Sequence, residues 1–161
     1  MESPMRIRQV KLLDLGEIVR IEQANFLGEE ATSPEKLKEQ IEKIPNTFLI
    51  ADLNGEIAGY IIGSAVSSHH QSADRLVKGM RNLDKSNFIF LQRLSINPDF
   101  KGQGVGTLLL AAMKEVVVDL QNQGIYLACK DHLLSYFVMN SFSDSGIFET
   151  TYGDEPHIEM I

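Results

Sequence analysis

Two kinds of apolar segment alternate along the chain, short runs that read as strands and helically spaced sets that read as amphipathic helices. "MRIRQV" is a short first strand. "DLGEIVRIEQANF" carries Leu15, Ile18, Val19 and the Glu22 to Phe26 stretch at helical spacing, with Asp14 as its expected cap. "SPEKLKEQIEKI" has the start signals of a second helix. Ser33 suits the N-cap, Pro34 the first helical position, and Leu37, Ile41 and Ile44 share one apolar face. "TFLIADL", Asn54-Gly55 and "EIAGYIIGSAV" predict a β-hairpin, because Asn-Gly supplies the positive φ of a tight turn. A long polar connection, residues 67–87, leads to the strand "FIFLQRLSI" and the turn "NPDFKGQGVG".

The helix after that turn sets Leu109, Ala112, Met113, Val116, Val117 and Leu120 on one face. Its other face is also fairly apolar, which predicts a well-buried helix. "GIYLACK" is a further strand, "DHLLSYFVMN" a short helix, and "GIFET" and "HIEMI" are closing strands. No internal repeat, low-complexity tract or linker interrupts the pattern, so residues 1–161 are expected to form a single domain.

Composition narrows the classes of function. A net charge of −7 argues against general nucleic-acid binding, which needs a basic face, and favours cationic over acidic substrates. Cys129 is the sole cysteine, so no internal disulfide forms and a reducing, cytoplasmic setting fits. The opening "MESPMRIRQV" has charges and no apolar run, unlike a signal peptide, and no run reaches membrane-spanning length.

A strand feeding a glycine-rich turn and then a helix is a candidate anion site. The first amides of a helix lack internal partners, the helix dipole adds partial positive charge, and glycine allows close backbone approach. Lys101 adds a point charge. A plain tight turn explains the glycines equally well. The stretch is not a Walker loop, because no Gly-Lys-Ser/Thr follows. It is a poor dinucleotide fingerprint, because Leu109 stands where a third glycine is needed.

"KGQGVGTLLL" resembles the acetyl-CoA loop of the GNAT N-acetyltransferases, with Lys101, Gly104 and Gly106 at its pattern positions. The order of elements is similar over nearly the whole chain. "EQANFLGEEATSPEKLKEQIEKIPNTFLIADLNGEIAGYIIG", "LQRLSINPDFKGQGVG" and "CKDHLLSYFVMNSF" resemble the arylalkylamine N-acetyltransferase branch. The resemblance implies an α/β (α+β) fold whose mixed, mostly antiparallel sheet is flanked by helices. It implies acetyl-CoA as cosubstrate, no metal, and transfer of acetyl to a primary amine in a ternary complex. The acceptor would be a small-molecule or peptide amine, with no nucleic-acid or membrane partner; a homodimer stays open. An acyl-CoA-binding module with little turnover, or a protein acetyltransferase, stays open too.

Acetyl transfer needs a deprotonated amine, a stabilised carbonyl oxygen and a proton for the leaving thiolate. By resemblance, the oxygen and the pantetheine arm use the backbone of Leu94, Ser95 and Ile96. The pyrophosphate uses Lys101, Gly102, Gln103, Gly104, Val105, Gly106 and Thr107. Glu30 matches an acidic position that suits the base, and Glu22 is its helical neighbour; a solvated surface glutamate is the simpler reading of each. Phe90 and Gln92 stand where animal members carry two histidines. Phe137 stands at the expected tyrosine; the adjacent Tyr136 is the candidate acid if the helix is rotated or shifted, and an ordinary packing residue otherwise. His69 and His70 lack other metal-ligand spacing, so a solvated pair is the simpler reading.

Overall fold

The computed structural model describes residues 5–26, 28, 31–66, 88–129, 134–140, 142, 144–152 and 155–160. The elements run β1 (Arg6–Gln9), α1 (Leu15–Asn25), α2 (Pro34–Lys43), β2 (Phe48–Leu53), β3 (Glu56–Val66), β4 (Phe88–Ile96), α3 (Val105–Asp119), β5 (Gly124–Cys129), α4 (Leu134–Met139), β6 (Asp144–Tyr152) and β7 (Glu155–Met160). They build one seven-stranded sheet in the order β1-β2-β3-β4-β5-β7-β6. Every neighbouring pair is antiparallel except β4 with β5. No helix among the described residues is long and apolar enough to cross a membrane.

The local signals act where the sequence places them. The Ser33 side chain accepts a hydrogen bond from the Lys36 amide at 3.2 Å, and Pro34 opens α2. Asn54 and Gly55 take φ of 53° and 88°, the positive values a two-residue hairpin turn needs. Asp14 departs from expectation. It makes no cap bond to α1. Its carboxylate instead takes two hydrogen bonds from Arg8, at 2.8 and 2.9 Å, and one from the Lys11 amide at 2.8 Å. A charged fork from the preceding strand outcompetes the helix amides.

Helices cover both faces of the sheet. Against one face, Ile18 and Ile21 of α1 and Leu37 and Ile41 of α2 pack on Phe48, Ile50, Tyr60 and Ile62. Against the other, Leu109, Leu110, Met113 and Val117 of α3, with Phe137 and Phe142, pack on Ile61, Ile89, Leu91 and Ile125. The second face of α3 is exposed, contrary to its apolar composition: Leu108 and Val118 are 45% and 73% accessible, and Leu120, expected on the buried face, caps the helix end and is 40% accessible. Only one side of α3 meets the sheet, and no further layer lies over it among the described residues.

Two irregularities position the site. Gly59 to Ile62 pair with Ile96 down to Arg93, but Gly63 pairs with Leu91, so Gln92 is the extra residue of a β-bulge. The bulge brings Gln92 and Arg93 in succession to the α1–α2 face, where they meet Gln40 and Glu22. The parallel pairing of β4 with β5 covers only Phe88 to Phe90 against Gly124 to Tyr126. Beyond it β5 pairs with β7, so from Leu91 onward β4 is paired on its β3 side alone among the described residues.

Candidate active site

The free edge of β4 ends at Ile96, and a 3-10 turn over Pro98–Phe100 leads from it to the glycine turn. The Asn97 amide donates to the Ala58 carbonyl at 2.8 Å, which makes that position a bonded pair of the β3–β4 ladder. Bonded and non-bonded pairs alternate in an antiparallel ladder. The peptide groups of Ser95 therefore face Tyr60 in β3, while those of Leu94 and Ile96 face the opening beside β5. Asn25 Nδ2 already reaches the Ile96 carbonyl at 2.7 Å and the Ser95 hydroxyl at 2.7 Å.

The turn itself is held rigid at its start. Buried Asn97 accepts from the Asp99 amide at 3.0 Å and donates Nδ2 to the Ile57 carbonyl at 2.9 Å. Gly102 and Gly104 then adopt φ of 82° and 76°, where a side chain would be strained and where open space lies in front of each. Gly104 is the N-cap of α3 and supplies no capping side chain. The first intrahelical bond of that turn is Leu108 N–H to the Gly104 carbonyl, 3.1 Å. The amides of Val105, Gly106 and Thr107 thus precede the helix's own bonding, at the positive end of its dipole.

Tyr136 closes the turn from the other side. A Cβ on Gly106 would lie 2.1 Å from the Tyr136 hydroxyl, so that hydroxyl rests directly on the backbone of α3's first turn. Burial holds the phenol above its ordinary pKa, with a hydrogen bond to Thr107 acting in the opposite sense. Phe137 turns the other way, into the core, edge-on to Phe142 with ring centroids 5.8 Å apart.

On the α1–α2 face, next to Ser95, lies a buried polar cluster. Glu22 is fully buried, not solvated as its sequence neighbourhood allows. It accepts from the Tyr60 hydroxyl, from the Thr32 amide at 2.8 Å and from Arg93 Nη2 at 2.8 Å. Arg93 also stacks over the Phe26 ring at 3.8 Å and donates to the Thr32 hydroxyl at 3.2 Å. Burial, and then the Glu22 charge, drive the Tyr60 phenol well above its ordinary pKa. Beside them Gln40 donates to Gln92 at 3.1 Å, and Gln92 donates to Ser64.

Residues 15–135 fit the model of the acetyltransferase (GNAT) family. The chain belongs to the GNAT family. Its fold is shared by the loading GNATL domain of CurA from Lyngbya majuscula, with a TM-score of 0.83 at 16% identity, covering 98% of this chain and 96% of that one. GphF, a GNAT-like decarboxylase in complex with isobutyryl-CoA, gives 0.83 at 14% identity, covering 96% and 97%. The PaiA N-acetyltransferase of Thermoplasma acidophilum in complex with coenzyme A gives 0.68 at 20% identity, covering 98% of each chain. Among curated proteins no sequence match is found.

Within this GNAT fold, Ile96 and Tyr136 both lie against Gly106 in the first turn of α3, and the peptide groups of Leu94 and Ile96 face away from β3. Ser95 presents its hydroxyl to Asn25 on the α1–α2 face, and its peptide groups belong to the β3 ladder rather than to the free edge. Glu30, His69 and His70 lie outside the described residues. Among the described residues no group of three or more His, Cys, Asp or Glu side chains is placed to hold a metal ion. Sequence reasoning missed Asn25, Tyr60 and Arg93. For Glu22 a signal existed: it follows buried Ile18 by four residues, which puts it on the same inward face of α1.

Proposed function

We propose that the protein is an acetyl-CoA-dependent N-acetyltransferase acting on a primary amine by direct attack in a ternary complex. The observation that carries this reading is the juxtaposition of β4's free edge with the uncapped first turn of α3. Membership of the GNAT family and fold neighbours bound to coenzyme A or an acyl-CoA support it. The bare amides of Val105 to Thr107, with Lys101, suit a pyrophosphate. The Leu94 and Ile96 peptide groups suit a thioester oxygen and an amide-bearing arm laid along the strand.

The thioester supplies an activated acetyl group; the chain's residues orient it and manage protons. The Leu94 N–H stabilises the oxyanion that develops on attack. Tyr136 donates a proton to the departing thiolate, and its raised pKa keeps that proton available through neutral and mildly alkaline pH. Glu30 takes the amine's proton directly or through water. We place this chemistry in the cytoplasm, where a lone cysteine stays reduced.

A second reading rests on the CurA loading domain and the GphF decarboxylase as fold neighbours: an acyl-CoA-binding module with little or no amine acetylation. Calorimetry with acetyl-CoA, paired with thiol release over a panel of small amines and peptides, separates the two. Binding with amine-dependent thiol release supports the acetyltransferase. Binding without it supports the module.

A further inference from the structure

We infer that Asn25 is a latch on the free edge of β4: its side chain occupies the carbonyl that the cofactor's arm requires, and the arm expels it on binding. The inference rests on the cofactor placement proposed above. The Asn97 amide bonds the Ala58 carbonyl, and bonded pairs alternate along the ladder, so the Ile96 peptide group faces away from β3. For an arm laid along the strand, the Ile96 carbonyl is the acceptor of an amide N–H. Asn25, in the last turn of α1, already donates Nδ2 to that carbonyl at 2.7 Å.

The partners fix which way the Asn25 amide points. A carbonyl accepts and never donates, so the atom that faces Ile96 is the nitrogen. The same nitrogen donates to the Ser95 hydroxyl at 2.7 Å. Both hydrogens of Nδ2 are thus in use, whereas Oδ1 is buried with no hydrogen-bond partner. A buried amide oxygen without a donor destabilises the place it holds. The side chain is therefore gripped at one end and unsatisfied at the other.

A carbonyl has two lone pairs, so an arriving arm either shares Ile96 with Asn25 or displaces it. Two features favour displacement. Nδ2 is tied to two acceptors, so it cannot edge aside for the arm without straining both bonds. Departure also releases Oδ1 from its unpaired position. The helix survives the change. Nearly one turn earlier, Glu22 keeps its bonds to Tyr60 and Arg93, and the Phe26 amide closes α1 on the Glu22 carbonyl at 2.9 Å. The movement is confined to one side chain.

The test compares wild type with Asn25→Ala by calorimetry, using acetyl-CoA and the adenosine bisphosphate half of the cofactor, which has no arm. Asn25→Ala should bind acetyl-CoA about two- to tenfold more tightly than wild type, the size of one hydrogen bond that no longer has to be broken. Its affinity for adenosine bisphosphate should be unchanged. A second readout needs no variant and decides the matter even where Asn25→Ala does not fold. When wild type is saturated with acetyl-CoA, the NMR signals of the Asn25 side-chain NH2 should move to the shifts of a free amide. Unchanged or weaker acetyl-CoA binding by folded Asn25→Ala, or an NH2 pair that does not move, overturns the latch. Equal tightening toward both ligands overturns it as well, because it reports a change at the phosphate turn rather than at the arm. If acetyl-CoA does not bind, or binds without shifting the Ile96 amide, the cofactor placement itself fails and the latch falls with it.

Discussion

Replacing Gly106 with alanine should unsettle the protein through one atom. The new Cβ would lie 2.1 Å from the Tyr136 hydroxyl and 3.3 Å from its Cζ. Carbon–oxygen contacts below about 3.3 Å are rare, so the phenol must retreat by roughly 1 Å or the first turn of α3 must shift. Overpacking of this kind costs ~1–3 kcal/mol. Alanine returns up to ~1 kcal/mol of helix propensity, so the single variant should lose about 1–2 kcal/mol. In a Tyr136→Phe background the clashing oxygen is gone, and the same change should be neutral or slightly stabilising. The four proteins form a double-mutant cycle, read by urea denaturation, with an expected coupling of ~1–3 kcal/mol, since the helix-propensity gain cancels and the overpacking cost remains. In thermal melts, one kcal/mol corresponds to about 2–4 °C for a domain of this size. Under the proposed reaction, Gly106→Ala should also lower kcat about as far as Tyr136→Phe does, because both remove the hydroxyl from its place. Equal stability losses in the two backgrounds would refute the contact on which this reasoning rests.

Further expectations follow from the same geometry. Glu22→Gln should destabilise the fold by ~3–5 kcal/mol in denaturant titrations, since it removes the buried carboxylate that Arg93 bonds to; a loss under about 0.5 kcal/mol would mean the cluster is open to solvent. Gly104→Glu should abolish acetyl-CoA binding in calorimetry, through like-charge repulsion and a φ of 76° that strains a glutamate. Gly104→Ala, which carries the strain without the charge, should lose less. The Tyr136 acid should serve below its pKa and fail above it. Because burial raises that pKa, the alkaline limb of kcat should fall beyond the ordinary tyrosine value of about 10. A limb at or below that value, or one unchanged in Tyr136→Phe, would remove Tyr136 from the role.

The sequence was legible where structure is made locally. Ser33-Pro34, Asn54-Gly55 and the Gly102–Gly104 turn each act within a few residues, and each does what its chemistry dictates. Asp14 failed because a competing donor, Arg8, lies outside the helix it was expected to cap. The state of Glu22 depends on Tyr60 and Arg93, 38 and 71 positions away, and the pattern around Glu22 alone records neither. The exposed second face of α3 shows the same limit, since apolar side chains do not by themselves supply a covering layer. In the site, the turn could be read but the β4 edge could not. The parting of β4 from β5 and the bulge at Gln92 are properties of pairing, and they decide which peptide groups of Leu94, Ser95 and Ile96 face the opening. The choice between Tyr136 and Phe137 was equally hidden, because adjacent helix positions differ by ~100° and only packing against Gly106 and Phe142 fixes the register.

On the proposed function, acetyl-CoA lies along the free edge of β4 with its phosphates on the first turn of α3. Amide-resolved NMR titration of the protein with acetyl-CoA tests it most directly. The largest shifts are expected at the Leu94, Ile96, Val105, Gly106 and Thr107 amides, saturating together with a single affinity. Saturable binding that leaves those amides unmoved, with shifts concentrated on β1, β2 or the outer face of α3, would contradict it.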